Sequence, residues 1–159
     1  FEDRPVPQEL LDTIIECGIY APSGKNMQTW RFTVLTDKKQ ICQWKELVMS
    51  RAAEHKVRVS GFENPAALVL ISNDIRNKNG AQDSSCAAEN IMLAANAYGL
   101  GSVWINALLT MCDDEEIRNQ LKQWGIPDRH QVWAMIALGY PEGEAKSPKR
   151  NLNVVSYVK

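Results

Sequence analysis

One stretch of sequence decides the fold of this chain, residues 81–98, which read AQDSSCAAENIMLAANAY. The pattern predicts a helix in which alanines surround Ile91, Met92 and Leu93 and leave almost no polar face, so the helix must be buried on most sides. Gly99 ends the helix, because glycine accepts the left-handed backbone past a helix C-terminus. A helix this apolar does not suit the surface of a small monomer. We therefore expect two copies of the chain to pair through it.

The segment before this helix predicts the centre of a sheet. Residues 66–71 form a continuous apolar run, AALVLI, between Pro65 and the polar residues 72–74. The run is too short for a helix and has the length of a strand that is buried on both faces. A second strand is predicted at residues 30–36, where β-branched and aromatic side chains alternate until Asp37 turns the chain.

The rest of the chain alternates between helices and strands. Pro7 suits the first turn of a helix, and the acidic residues 113–116 suit a helix N-terminus, where the dipole favours negative charge. Three or four strands interleaved with four helices predict an α+β or mixed α/β fold. The chain has no G-x-G-x-x-G or P-loop motif, which disfavours a Rossmann domain or a P-loop enzyme. The remaining predicted elements are helices at 8 to about 20, 38 to about 60 and 113–124, and strands at 103–108 and 131–140.

The composition is that of one globular domain covering residues 1–159, with 45% hydrophobic and 23% charged residues. The net charge of -1 and the lack of a basic run disfavour a nucleic-acid or anionic-membrane partner and favour a small organic substrate. No signal peptide and no apolar stretch of membrane-spanning length is visible, so we expect a cytoplasmic protein. The chain opens at Phe1, directly before a helix, and we expect a further segment upstream.

The cysteines and histidines give no recognisable catalytic motif. The two histidines, His55 and His130, have no serine or cysteine near them in a nucleophile motif, and we interpret both as surface or boundary residues. The cysteines have no C-x-x-C spacing, so neither a zinc site nor a disulfide framework is indicated. We interpret them as small buried or half-buried side chains in helical segments, with nucleophilic chemistry as the alternative: Cys17, Cys42, Cys86 and Cys112.

A chain short of acids, bases and metal ligands can still catalyse electron transfer if a cofactor supplies the chemistry. A flavin fits this requirement. FMN binding needs cations for the phosphate, amide and hydroxyl groups for the ring edge and ribityl chain, and an apolar wall for the ring. The loop at residues 21–28, APSGKNMQ, carries several of these groups.

The chain resembles the nitroreductase family along nearly its whole length. The order and spacing of several segments carry the resemblance, which no single motif would establish. These segments are DRPV at 3–6, APSGKNMQTWRF at 21–32, AAENIMLAA at 87–95 with GLGS at 99–102, ALGYP at 137–141 and PKR at 148–150.

The resemblance implies an α+β sandwich, with a mostly antiparallel sheet flanked by helices, and an intertwined homodimer with two FMN sites at its interface. It also implies that Lys149 and Arg150 hold the flavin phosphate. The family's basic N-terminal arm would lie before Phe1, so its contacts cannot be named in this numbering. The other cofactor-binding residues that the resemblance implies are Pro22, Ser23, Asn26, Gln28, Asn106 and Ala107.

The implied activity is oxidation of NADH or NADPH by a ping-pong mechanism, with electrons passed from the flavin to a small conjugated acceptor such as a nitroaromatic, a quinone or a flavin. The resemblance assigns no catalytic side chain, and pocket selectivity is expected from side chains in 57–64. Two alternatives stay open, a flavin carrier or sensor without turnover and a non-enzymatic interaction module. Each site residue also has a plain structural explanation, as a loop, strand-end or solvated residue.

Overall fold

A four-stranded antiparallel sheet forms the centre of the protein in the computed structural model, which describes residues 1–143 and 147–158. Its strands are β1 (Trp30–Leu35), β2 (Ala67–Asp74), β3 (Gly101–Ile105) and β4 (His130–Gly139). In space the strands follow the order β1-β2-β4-β3, and each neighbouring pair is antiparallel. The predicted antiparallel sheet is confirmed, and β2 and β4 occupy its central positions.

Helices cover both faces of the sheet. They are α1 (Gln8–Ile19), α2 (Lys38–His55), α3 (Gly80–Ala97) and α4 (Glu115–Gln123). The helices α1 and α3 share one core with the sheet, and α2 and α4 share the core on the opposite face. This arrangement confirms the predicted α+β sandwich.

The alternation of side chains along β2 explains how one strand serves two cores. Leu68 and Leu70 point toward α2 and α4, whereas Val69 and Ile71 point toward α1 and α3. All four side chains are completely buried, so the prediction of a central strand at this run is confirmed. β2 continues through residues 72–74, beyond the predicted strand at 66–71, because these residues keep pairing with the start of β4.

A β-bulge interrupts the pairing of the two central strands. Ile71 pairs with Ala134 and Ser72 pairs with Val132, which leaves Trp133 as an extra residue in β4. The bulge reverses which side chains face each core. Val132 therefore packs on the side of α2 and α4, whereas Ala134 packs on the side of α1 and α3.

Helix α3 is buried on one side only within a single chain. Leu93 on its outer side is 59% exposed, and Glu89 and Cys86 are exposed beside it. A single chain therefore buries one side of this helix, and the burial of its other side by a second copy of the chain stays a prediction. The residues of α3 that pack against the sheet and α1 are Ala87, Ala88, Ile91 and Ala95.

Two element boundaries differ from prediction for local backbone reasons. Helix α2 ends at His55, because Lys56 adopts the left-handed conformation with φ 56° and its N–H bonds back to the carbonyls of the last turn. Strand β3 ends at Ile105, because the next residues turn into the short 3-10 helix Ala107–Leu109. The predicted helix to about 60 and strand to 108 were therefore too long.

Three of the four cysteines differ in part from prediction, whereas Cys17 is half-buried in α1 as predicted. Cys112 is buried but lies in a turn rather than a helix, while Cys42 and Cys86 are exposed rather than buried. His130 is buried at the first position of β4, where its Nδ1 lies 3.1 Å from the Ser72 Oγ. Burial lowers the pKa of His130, which favours the neutral imidazole.

Asp114 fastens α4 to α2. Its carboxylate caps α4 by accepting from the Ile117 N–H at 3.3 Å, and it also accepts from the Arg51 Nε at 2.9 Å and contacts the His55 Nε2 at 2.9 Å. Burial alone would raise the pKa of this carboxyl group, but the hydrogen bonds from His55, Ile117 and Arg51 outweigh it and lower the pKa to about 2. The group is therefore ionised at neutral pH and secures the helix pair.

Gly18 allows α1 to approach α3 closely. A Cβ atom at this position would lie 2.7 Å from the Ile91 Cγ1 and 2.8 Å from the Ile91 Cδ1. Ile91 is completely buried, so it has no free space into which to move. The close contact of the two helices therefore depends on the missing side chain.

We predict that Gly18→Ala destabilises the protein by about 1–3 kcal/mol, because overpacking outweighs the better helix propensity of alanine, which is worth about 1 kcal/mol. Chemical denaturation measures the change. Glu16→Ala on the exposed side of α1 serves as the control and should stay within about 0.5 kcal/mol of the wild type. Greater stability of Gly18→Ala would show that the two helices are not in tight contact.

Candidate functional site

The loop between α1 and β1 contains most of the sequence-predicted site residues and an unusual backbone. Lys25, Asn26 and Gln28 have positive φ angles of 54°, 55° and 49°. Non-glycine residues in this conformation cost of order 1 kcal/mol each and persist only where surrounding contacts impose them. Such residues cluster at functional sites, so the loop is the first part of the candidate site.

A buried polar network holds this loop in place on its inner side. The Gly24 N–H donates to the Asp83 Oδ1 at 2.8 Å, and the Asn77 Nδ2 donates to the Asp83 Oδ2 at 2.9 Å. The Asn77 Nδ2 also donates to the Thr29 Oγ1 at 2.8 Å, and that hydroxyl donates to the Asn73 Oδ1 at 2.7 Å. The loop is thereby tied to the end of β2 and to the first turn of α3.

The solvent-facing side of the loop carries polar groups. The Gln28 Nε2 donates to the Asn26 Oδ1 at 2.8 Å, and the Gln28 N–H donates to the Ser23 Oγ at 3.2 Å. Pro22 is exposed at the start of the loop. The structure therefore brings together the four predicted site residues of this loop.

A pocket of about 400 Å³ contains the second group of predicted residues, Asn106 and Ala107. Gly61 brings one wall of the pocket against β3, since its φ is 96° and a Cβ there would lie 2.7 Å from the Val103 Cγ1. The lining combines hydroxyl and amide groups, apolar side chains and one cation: Val57, Arg58, Val59, Ser60, Trp104, Ile105, Asn106, Ala107, Leu109 and Thr110.

Lys149 and Arg150 are the third group of predicted residues. Both residues are exposed, and neither forms a hydrogen bond or ion pair with the part of the chain that the structure describes. Neither the tail nor the loop lines the pocket at Asn106. A single chain thus does not bring the three groups of predicted residues into one pocket.

Sequence reasoning missed two components of this site. Arg58, a cation in the described lining of the pocket, had been covered only by the general expectation for residues 57–64. The buried network of Asn73, Asn77 and Asp83 had not been identified. The sequence does contain one signal for this network, since polar residues directly follow the apolar run of β2. A solvent-exposed turn would account for such residues, but in the structure they are buried.

Two other kinds of site are disfavoured or not found. Ser72 and His130 lie within hydrogen-bond distance, but Ser72 is completely buried and cannot reach a substrate. Over residues 1–143 and 147–158, no group of three or more His, Cys, Asp or Glu side chains is placed to hold a metal ion. No helix in those residues has the length and apolarity needed to cross a membrane.

Comparison with known proteins identifies the family. The sequence profile of the Nitroreductase family matches residues 1–140. A nitroreductase from Bacteroides fragilis, solved with bound FMN, superposes with a TM-score of 0.90 and 30% identity over 100% of this chain and 91% of its own.

Two curated relatives carry the names of oxidoreductases. A Thermus thermophilus NADH dehydrogenase is 26% identical over 91% of this chain and 82% of its own length. A Vibrio harveyi NADPH-flavin oxidoreductase is 28% identical over 89% of this chain and 60% of its own length. The chain therefore belongs to the nitroreductase family.

We predict that Asp83→Ala releases the loop, because the Gly24 N–H and the Asn77 amide lose their buried acceptor at a cost of roughly 1–3 kcal/mol. Hydrogen exchange of the Gly24 amide should accelerate by at least about tenfold. Gln82→Ala, an exposed neighbour on α3, is the control and should leave that rate unchanged. Unaltered exchange at Gly24 in Asp83→Ala would mean that the network does not hold the loop.

Proposed function

We propose that this member of the nitroreductase family is an FMN-dependent oxidoreductase that takes electrons from NADH or NADPH and passes them to a small conjugated acceptor by a ping-pong mechanism. One observation carries the proposal: a strained loop, held by a buried network, presents Ser23, Asn26 and Gln28 to solvent. The same family includes a solved relative with bound FMN that matches the whole chain.

The residues present fit the chemistry of FMN. The pocket at Asn106 offers apolar surface from Trp104 and Leu109 for a ring, and hydroxyl groups from Ser60 and Thr110 for polar atoms at the ring edge. Lys149 and Arg150 provide the paired cations that a phosphate requires. The exposed amides of the loop suit the ribityl chain. When bound, the flavin supplies hydride acceptance at N5 and later electron donation to the acceptor.

The protein's own contribution is binding, orientation and electrostatics. Arg58 is a cation in the described lining of the pocket, and it would stabilise negative charge in the reduced cofactor. The backbone at Asn106 and Ala107 would hold the ring edge by hydrogen bonding. Within residues 1–143 and 147–158, no carboxylate and no histidine lines the pocket. We therefore assign no side chain as a general acid or base.

We propose further that a second copy of the chain completes the site. The outer side of α3 exposes Leu93, and Tyr20 at the end of α1 is 78% exposed. The segment 147–158 is exposed throughout, with an apolar series in which Leu152 is 83% and Val158 99% exposed. Apolar surface of this kind is stabilised by burial against a partner. A homodimer would cover it and unite the three groups of predicted residues.

The flavin site is tested with the FMN-free protein, titrated with FMN and with riboflavin. Lys149→Gln/Arg150→Gln should weaken FMN binding by at least about tenfold, because the phosphate loses two cationic partners, and should leave riboflavin binding unchanged. Lys39→Gln/Lys45→Gln, two exposed lysines of α2, is the matched control and should bind FMN as the wild type does.

Turnover is measured on the same preparations. Oxidation of NADH or NADPH with a quinone or nitroaromatic acceptor should give parallel double-reciprocal lines, as a ping-pong mechanism requires. Protein that stays colourless after incubation with FMN contradicts the proposed function. Protein that binds FMN but turns over no acceptor would instead be a flavin carrier or sensor.

The dimer is tested by sedimentation. Leu93→Glu places a charge on the outer side of α3, so we expect a monomer at micromolar concentration with reduced FMN binding, because burial of an unpaired charge is costly. Met49→Glu, at a side chain of α2 that is 44% exposed, is the control and should remain dimeric. A wild-type protein that sediments as a monomer would exclude the shared site.

A further inference from the structure

A second pocket, of about 360 Å³, lies beside the strained loop and is here called the cationic pocket. Of the described residues that line it, half are cations and none is a carboxylate, although the whole chain has a net charge of -1. Its lining is Lys25, Met27, Arg76, Asn77, Lys78 and Asn79. Positive charge is therefore concentrated at this pocket, and the proposed flavin contacts assign no role to these cations.

Arg76 is held in place by the neighbouring Asp74. The Arg76 Nη2 donates to the Asp74 Oδ2 at 2.7 Å and the Arg76 Nε donates to Oδ1 at 3.0 Å. The Arg129 Nε donates to the same carboxylate at 2.8 Å. Hydrogen bonds from Arg76 hold the pKa of Asp74 well below its usual range, so the carboxylate is ionised. One negative charge thus orients two guanidinium groups and cannot neutralise both.

The two lysines of the cationic pocket have ammonium groups without a salt-bridge partner among the described residues. Lys25 and Lys78 are exposed, and neither forms a salt bridge within residues 1–143 and 147–158. The other carboxylate near this pocket, Asp83, is buried and bonded to the Gly24 N–H and the Asn77 amide. Two ammonium groups are therefore available to an anionic ligand.

The remaining lining residues suit a nucleotide rather than a free anion. Met27 is 52% exposed, and its thioether offers the soft, polarisable surface that favours contact with an aromatic ring. Asn79 precedes α3 without capping it through its side chain, so the amide stays available and the positive end of the helix dipole lies nearby. An adenine ring and a phosphate could both be recognised here.

We propose that the cationic pocket binds the 2′-phosphate of NADPH through Lys25 and Lys78, with Met27 against the adenine, so that the chain prefers NADPH to NADH. This inference rests on the proposed function. Family membership leaves the donor open, since one relative is named for NADH and another for NADPH. Exposed ammonium groups on flexible stems give weak, salt-screened contacts, which suit a donor that must leave in every cycle.

FMN carries the same chemical group, a phosphate monoester, so the test must separate the two sources. Calorimetry on the purified protein compares adenosine 2′,5′-bisphosphate with adenosine 5′-monophosphate, and a parallel titration compares FMN with riboflavin. We expect the wild type to bind the bisphosphate at least about tenfold more tightly than the monophosphate, an effect of two charge-assisted contacts. Lys25→Gln/Lys78→Gln should abolish this difference.

Steady-state kinetics give the second measurement. The ratio of kcat/KM for NADPH to that for NADH should fall by about tenfold or more in Lys25→Gln/Lys78→Gln, and added salt should lower the wild-type ratio. Lys39→Gln/Lys45→Gln is the matched control for the loss of two exposed lysines and should keep both the ratio and the bisphosphate preference. Circular dichroism confirms that each variant is folded.

Three outcomes separate the hypotheses. Equal binding of the two adenine nucleotides by the wild type would overturn the assignment of the cationic pocket, whatever the turnover. Loss of FMN affinity with unchanged riboflavin affinity in Lys25→Gln/Lys78→Gln would assign the pocket to the flavin phosphate and would also overturn it. Selective bisphosphate binding by a protein that oxidises neither NADH nor NADPH would support the phosphate site and overturn the proposed function.

Discussion

The antiparallel pairing of β2 with β4 is the contact on which the rest of the protein depends. Both strands are central, and each places side chains in the cores on the two faces of the sheet. The same pairing carries β2 beyond its apolar run to Asn73 and Asp74. Asn73 anchors the strained loop, and Asp74 orients Arg76 at the cationic pocket. The hydrophobic effect at the centre thus positions the polar chemistry at the edge.

The loop shows how a stable core can support a strained site. Positive φ angles at Lys25, Asn26 and Gln28 oppose folding, whereas the hydrogen bonds to buried Asp83 favour it. Because those partners belong to β2 and α3, the loop cannot relax without disturbing elements that the core holds. Rigidity of this kind reduces the entropy lost when a ligand binds.

The sequence predicted the parts of the fold that depend on local periodicity. The run at 66–71 gave the central strand and the alanine-rich pattern gave a helix, whereas the antiparallel sandwich was expected from the family resemblance alone. The family resemblance supplied Ser23, Asn26 and Gln28, which the structure brings together. The network below them was not predictable, because Gly24 and Asp83 are 59 positions apart and only the tertiary fold makes them neighbours. From sequence alone, polar residues that follow an apolar run are interpreted as a turn, because their pairing partners in the sheet are unknown.

The bulge at Trp133 has a consequence for how the sheet is divided. On one side of it, Ala67 to Ile71 pair with Ala134 to Leu138, and every residue is apolar. On the other side, Ser72 to Asp74 pair with His130 to Val132, and most residues are polar. The irregularity therefore marks a border within two continuous strands. Substitutions on the apolar side of that border mainly change the stability of the fold. Substitutions on the polar side mainly change the binding of a ligand.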